Sequence, residues 1–275
     1  MNASLATLFA AVVDHLDDGV GISALMAAVE RIVPADLATS LVYRRDLPPI
    51  YVYDTLRTPT EKRALQIFIA SSYVLDPAYN AFLTGLRPGI HRMRDLTPDA
   101  YCDSDFHKIR EVRRAANEEM GYITEGWPEG TEELVVTIDV GEGLMAEVSL
   151  NRHLTRGGFD EGDLAALRDA YPLIASLYKR IWTVLKPSAL ESRRAQPDAG
   201  DLAPKILSPR EQAVALMILK GHSNESIALN LGVSLATVKT HRQRIYAKLS
   251  ISSQRELFAR FMTERGLSLP WPQGQ

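Results

Sequence analysis

The sequence predicts two domains of different class: an α+β domain built on a mostly antiparallel sheet with flanking helices, then a small all-α domain of four helices. Three observations predict this. Up to about residue 186, short β-rich runs are interleaved with segments of helical period. From Ser208 onward the chain is punctuated instead by helix caps and glycine stops. The charge also changes sign: from Lys205 to the end ten Lys and Arg face four Asp and Glu, whereas the residues before it carry 21 against 30. At 275 residues, 46% of them apolar and 24% charged, the chain can bury a sizeable core in one or two domains.

In the first domain, Leu5, Phe9, Val12 and Leu16 keep a helical period. SLVYRRD and PPIYVYDTL read as strands around a Pro-Pro turn, and a helix from about Glu61 carries Leu65, Phe68 and Ile69. GIHRMRDL is a candidate short strand; YITEGWPEG, ELVVTIDV and LMAEVSLNR alternate or run apolar between turns. A helix from about Gly162 to Leu185 closes the domain. Its Leu164, Leu167, Tyr171, Ile174, Tyr178, Ile181 and Leu185 keep a 3-4 spacing that serves equally as a core stripe or as a coiled-coil seam for a homodimer, with Pro172 interrupting it. Five or six short strands with inserted and flanking helices resemble a sensory domain of the GAF or PAS kind.

PSALESRRAQPDAGDLAPKI, residues 187–206, mixes proline, glycine, serine and charge and reads as a linker. It divides residues 1–186, expected to sense a ligand and dimerise, from a domain at 207–265 with a tail at 266–275. Ser208, Pro209 and Glu211 form a capping box with proline at the first helical position, and Gly221 ends that helix. Ser223 caps a second, short helix that Gly232 breaks; Ser234 caps a third. On the third, Val238, Ile245 and Leu249 share the buried stripe, which leaves Lys239, Thr240, Gln243, Arg244 and Ala247 on the opposite side. Ser253 and Glu256 announce a fourth helix. No carboxylate occurs from Ser226 to Arg255, in a chain whose net charge is −3. A short helix, a glycine turn and a longer basic helix make a helix-turn-helix, and the missing counter-charge is the phosphate of double-stranded DNA.

LSPREQAVALMILKGHSNESIALNLGVSLATVKTHRQRIYAKLSISS resembles the DNA-binding domain of LuxR-type bacterial transcription regulators, which opens L-[ST]-x-R-E and continues G-x-[ST]-N-x-x-I-A-x-x-L and T-V-K-x-H. Four residues after Glu211, where that pattern has leucine, stands Ala215. The resemblance implies base contacts from Lys239, Thr240 and Gln243, with Arg244 adjacent. It also implies that Ser234, Thr237, His241 and Lys248 touch or line the phosphate backbone. DNA, a small-molecule effector, a second copy of the chain and RNA polymerase are the expected partners.

The first domain then supplies control. A phosphoacceptor domain is not expected: Asp17 and Asp18 follow a helical segment, and no apolar strand ending in Asp and followed by Met-Pro comes after them. SSYVLDPAYNAF resembles the Asp-Pro segment beside the pocket of acyl-homoserine-lactone receptors. Where those receptors carry aromatic partners, however, this chain has Arg63, Ile67 and His91, so a different small molecule is expected. Tyr73, Asp76 and Tyr79 form one candidate ligand group; Glu125 and Trp127, in phase along a strand, form another. A turn in which Asp76 merely precedes Pro77 accounts for the same residues, and a domain that only dimerises or binds a protein is the alternative function.

Catalysis has little to stand on. CDSDFH, residues 102–107, reads more simply as a helix start than as a metal site, and neither a nucleophile turn nor a phosphate-cradling loop occurs, so no catalytic residue, metal or cofactor is expected. Cys102, the lone cysteine, fits a reducing cytoplasm. LATLFAAVV is nine apolar residues with no cation before it, too short for a membrane span or a leader, so a cytoplasmic protein is expected.

Overall fold

The computed structural model describes residues 3–45, 47–70, 72–97, 130–191, 206–254, 256–257 and 260–261, with backbone alone at 3–5 and 187–191. The strand expected at YITEGWPEG, the CDSDFH segment, most of the expected linker and the tail lie outside the described residues.

Two helices, α1 (Ala3–Val13) and α2 (Gly21–Ile32), precede the hairpin β1 (Leu37–Arg44) and β2 (Leu47–Asp54). Then come α3 (Pro59–Ala70), a 3-10 turn (Ser72–Leu75), α4 (Pro77–Leu83), β3 (Gly89–Arg92) and the single turn α5 (Met93–Leu96). After the undescribed stretch, β4 (Thr131–Gly141) and β5 (Leu144–His153) form a second hairpin, and α6 (Glu161–Glu191) follows. The five strands form one sheet in the order β2-β1-β5-β4-β3, with every neighbour antiparallel. The antiparallel α+β architecture expected of the sequence is therefore present. The helix α2 goes beyond the expected elements, and GIHRMRDL divides into β3 and α5.

One face of the sheet packs against α2 and α6. Ala38 and Val42 from β1, Leu134, Val136 and Ile138 from β4, and Ala146, Val148 and Leu150 from β5 join Leu25, Val29, Leu167, Ile174, Tyr178 and Ile181 in a single core. Burying each such side chain is worth about 1.5–3 kcal/mol. Ser40 lies in that face without loss, because its hydroxyl donates to the Glu147 carbonyl at 3.0 Å and meets the Tyr178 hydroxyl at 2.7 Å. Leu164, Leu167, Ile174, Tyr178 and Ile181 are thus core residues of their own chain, and Tyr171 and Leu185 are half-buried against the same core, so the stripe on α6 is largely spent there. The helix runs through Pro172 and continues to Glu191, past the Leu185 end expected of it.

The opposite face is covered too. Leu37 and Leu41 meet Leu56, Leu65 and Ile69 of the α3 side, and Tyr43 joins Tyr73, Leu75, Ala78 and Tyr79 around the 3-10 turn and α4. Each face therefore has its own layer of helices.

The β5–α6 connection is clamped by a buried ion pair. Arg92 binds Glu132, whose second oxygen accepts from the Phe159 amide at 2.7 Å, while the Arg92 guanidinium donates to the Phe159 carbonyl at 3.0 Å. Gly158, at φ +63°, sits under that carboxylate, and a Cβ there would lie 2.4 Å from the Glu132 Oε2. Gly157, at φ +91°, has open space around it. Gly157→Ala should cost only left-handed strain, about 1–2 kcal/mol. Gly158→Ala should cost about 2–4 kcal/mol, because it also displaces a buried hydrogen-bonded carboxylate. Urea unfolding of the two variants measures the difference, and equal losses would contradict the clamp.

Candidate functional site

Two places in the chain gather chemistry. The first lies on the sheet face beneath α4. Tyr73 stands in the 3-10 turn, Asp76 is the N-cap of α4 and Tyr79 lies in its first turn, with Pro77 at the first helical position. Asp76 therefore does what the turn reading required: its Oδ1 accepts from the Tyr79 amide at 2.7 Å. The same oxygen also receives the Tyr43 hydroxyl at 3.1 Å. The Tyr73 and Tyr79 rings meet edge to face at 5.0 Å, and Tyr43 and Tyr79 at 5.3 Å. The three expected residues converge, although a helix break at Asp76, not one continuous helix, brings them together.

The sheet adds carboxylates that the sequence did not single out. Along β5, Glu147, Ser149 and Asn151 point away from the α6 core and are buried nonetheless. Ser149 donates to Glu133 of β4 and accepts from Asn151 at 2.9 Å, and the charge of Glu147 acts on the Tyr43 hydroxyl. Burial pushes Asp76 up to about 7, the Tyr79 amide partly opposing it and the charge of Glu133 adding to it. Burial, then the charges of Asp76 and Glu133, hold Glu147 well above the usual carboxylate range. Desolvation and the two acids raise Tyr43 likewise, so it stays a donor. The sequence signal for Glu147 was faint: in strict alternation with Ala146 and Val148, a Glu reads as the solvent side of a strand. Glu125 and Trp127 lie outside the described residues. Of the positions that differ from the lactone receptors, Arg63 is exposed on α3, Ile67 is half-buried, and the half-buried His91 meets the Arg87 carbonyl at 3.1 Å through its Nε2.

The second place is the helix-turn-helix. α7 (Pro209–Leu219) starts in the expected capping box, α8 (Asn224–Leu231) is capped by Ser223, and α9 (Leu235–Leu249) is capped by Ser234, which accepts from the Thr237 amide at 3.1 Å. Gly232, at φ +63°, ends α8 and makes the turn. Val238, Ile245 and Leu249 are buried, while Lys239, Thr240, Gln243, Arg244 and Ala247 are exposed along one side of α9. Lys239 and Arg244 make no hydrogen bond or ion pair among the described residues, whereas the Arg242 guanidinium lies 5.3 Å over the Tyr246 ring. His241 is half-buried, with Nδ1 enclosed and without a hydrogen-bond partner among the described residues. Lys248, although 43% exposed, donates to Glu211 of α7 at 2.7 Å. The start of the fourth helix is held by Ser253, which accepts from the Glu256 amide at 3.2 Å, and by the Glu256 carboxylate, which takes the Ser252 amide at 2.9 Å.

Residues 205–261 match the family described as "Bacterial regulatory proteins, luxR family". A putative HTH-type transcriptional regulator in the exeN 3' region of Aeromonas salmonicida is 34% identical over 152 residues, 51% of this chain and 76% of that protein. The monoamine regulon transcriptional regulator of Klebsiella aerogenes is 35% identical over 97 residues, which span 35% of this chain and 42% of that protein's length. The solved LBD domain of VqsR from Pseudomonas aeruginosa shares the fold, with a TM-score of 0.50 and 15% identity over 66% of this chain and 99% of that one. The basic outward face of α9 and these likenesses agree: the chain belongs to the luxR family of bacterial regulatory proteins and is a DNA-binding transcription regulator.

Proposed function

We propose that the N-terminal domain senses a small molecule carrying a cationic or N–H donor group and thereby governs sequence-specific DNA binding by a cytoplasmic homodimer. The observation that carries the reading is the gathering of Asp76, Glu133 and Glu147 around the Tyr43 hydroxyl on a covered sheet face. Ionised and unliganded, these acids suffer desolvation and repel one another; a ligand bringing positive charge or N–H groups relieves both, and an anion worsens both. An acyl-homoserine lactone fits poorly, because Arg63, Ile67 and His91 stand where its receptors have aromatics. Tyr73 and Tyr79 supply apolar walls; Glu125 and Trp127 are assigned to the same site on sequence grounds.

On the DNA side, Lys239, Thr240 and Gln243, with Arg244 beside them, read base edges in the major groove. Ser234, Thr237 and His241 line the phosphates, and RNA polymerase is the onward partner. A two-fold dimer matches a palindromic site with half-sites about one helical turn apart. Since the stripe on α6 is spent on its own core, dimerisation uses other surfaces.

Thermal shift against amines, guanidines, carboxylates and acyl lactones tests the ligand class, because a ligand that binds only the folded state raises the melting temperature. Amines or guanidines should stabilise; a response to anions alone, or to none, would favour a domain that only dimerises or binds a protein. Asp76→Asn should keep the cap but weaken the ligand about tenfold to a hundredfold, by loss of a charge-assisted bond. The pH dependence has a definite sign. Asp76 holds its proton more tightly in the fold, at about 7, than in the unfolded chain, so its contribution to unliganded stability is full below the ordinary carboxylate value of 3.8 and is lost as pH rises through 7. Melting temperature without ligand should therefore fall over that window, and less so in Asp76→Asn.

Gln243→Ala and Lys239→Ala should each cost about 1–3 kcal/mol on the specific site and relax its base preference. Competition between cognate and scrambled duplexes checks this, and a uniform loss on both would place α9 wrongly. Sedimentation mass should be that of two chains; a monomer unchanged by operator DNA would overturn the dimer.

A further inference from the structure

We infer that Glu211 and Lys248 act together as positioning residues for DNA binding, the first turn of α7 holding the last turn of α9, and that Lys248 is not a phosphate contact. Glu211 is 4% exposed, yet one of its oxygens, Oε2, takes three donors: the Ser208 amide at 2.8 Å, the Ser208 hydroxyl at 2.9 Å and the Lys248 ammonium at 2.7 Å. Among the described residues Lys248 is the only cation paired with that carboxylate. These donors bring Glu211 down to about 2, the ammonium first among them, so it is ionised at neutral pH.

The consequence is a competition for one ammonium. Were Lys248 to swing to a phosphate, the enclosed Glu211 carboxylate would keep only the neutral Ser208 donors, and an enclosed charge left without its counter-charge costs more than an exposed phosphate contact returns. Among the described residues Lys239 and Arg244 have no such alternative partner, which leaves both cations to DNA. The neighbouring residue works in the same direction: the Arg210 guanidinium donates to the Leu231 carbonyl at 2.7 Å, at the last residue of α8 before Gly232. Adjacent side chains of α7 therefore hold the two helices that follow it, one at the end of α8 and one at the end of α9. Neither role needs contact with a base.

The full chain, titrated with a random-sequence duplex over a series of KCl concentrations, separates positioning from phosphate contact. Each lost phosphate contact lowers the slope of log affinity against log salt by about 0.9. Lys248→Met and Lys248→Gln should leave that slope at the parent value, with the glutamine variant, which can still donate to Glu211, melting closer to the parent than the methionine one. Glu211→Gln should lower the melting temperature, and adding Lys248→Met to it should lower it no further, since the lysine acts through the glutamate. A slope reduced by about 0.9 in either Lys248 variant would overturn the proposal. So would melting losses that simply add in the double variant.

Discussion

The five-stranded sheet is covered on both faces, and that constraint governs the N-terminal domain. A strand that alternates apolar and polar residues ordinarily offers its polar side to water. In β5 the apolar side, Ala146, Val148 and Leu150, is spent on α6, while on the other side Glu147, Ser149 and Asn151 are buried as well, and Met145 and Tyr43 of that face pack with the 3-10 turn and α4. Polar groups held away from water must find partners within the fold. Here they do so as a chain, Thr131 to Asn151, Asn151 to Ser149 and Ser149 to Glu133, and beside it Tyr43 donates to Asp76. Asp76 and Glu147 sit at raised affinity for protons because the sheet is closed over them.

In the DNA-binding domain an apolar core that includes Val214, Ile218, Ile227 and Val238 holds the helices together, and local signals set their limits. Side-chain caps at Ser208, Ser223 and Ser234 set where each helix begins, and a left-handed glycine sets the turn between α8 and α9. With Val238, Ile245 and Leu249 buried, Lys239 and Arg244 on the opposite side of α9 have no ionic partner among the described residues and are left for an outside polyanion. The two domains thus differ in their key charges: Asp76 and Glu147 of the first are enclosed, whereas Lys239 and Arg244 of the second are exposed.

The sequence by itself determined the C-terminal domain almost completely, since caps, glycine stops and an i, i+7, i+11 apolar stripe are local signals that act over a few residues. Ser208 with Glu211, Ser223, Gly232, Ser234 and the exposed Lys239, Thr240, Gln243 and Arg244 are where the pattern put them. In the N-terminal domain, strand alternation located β1, β2, β4 and β5, and the Asp-Pro step located the start of α4. Only the tertiary structure decided the rest. Whether the α6 stripe served a core or a second chain depended on whether a sheet lay beneath it, which periodicity does not encode. Whether Glu147 faced water depended on a helix layer donated by residues some seventy positions earlier in the chain. Whether Lys248 was free depended on Glu211, 37 residues away, because a side chain's partner is chosen by the fold and not by its neighbours in sequence.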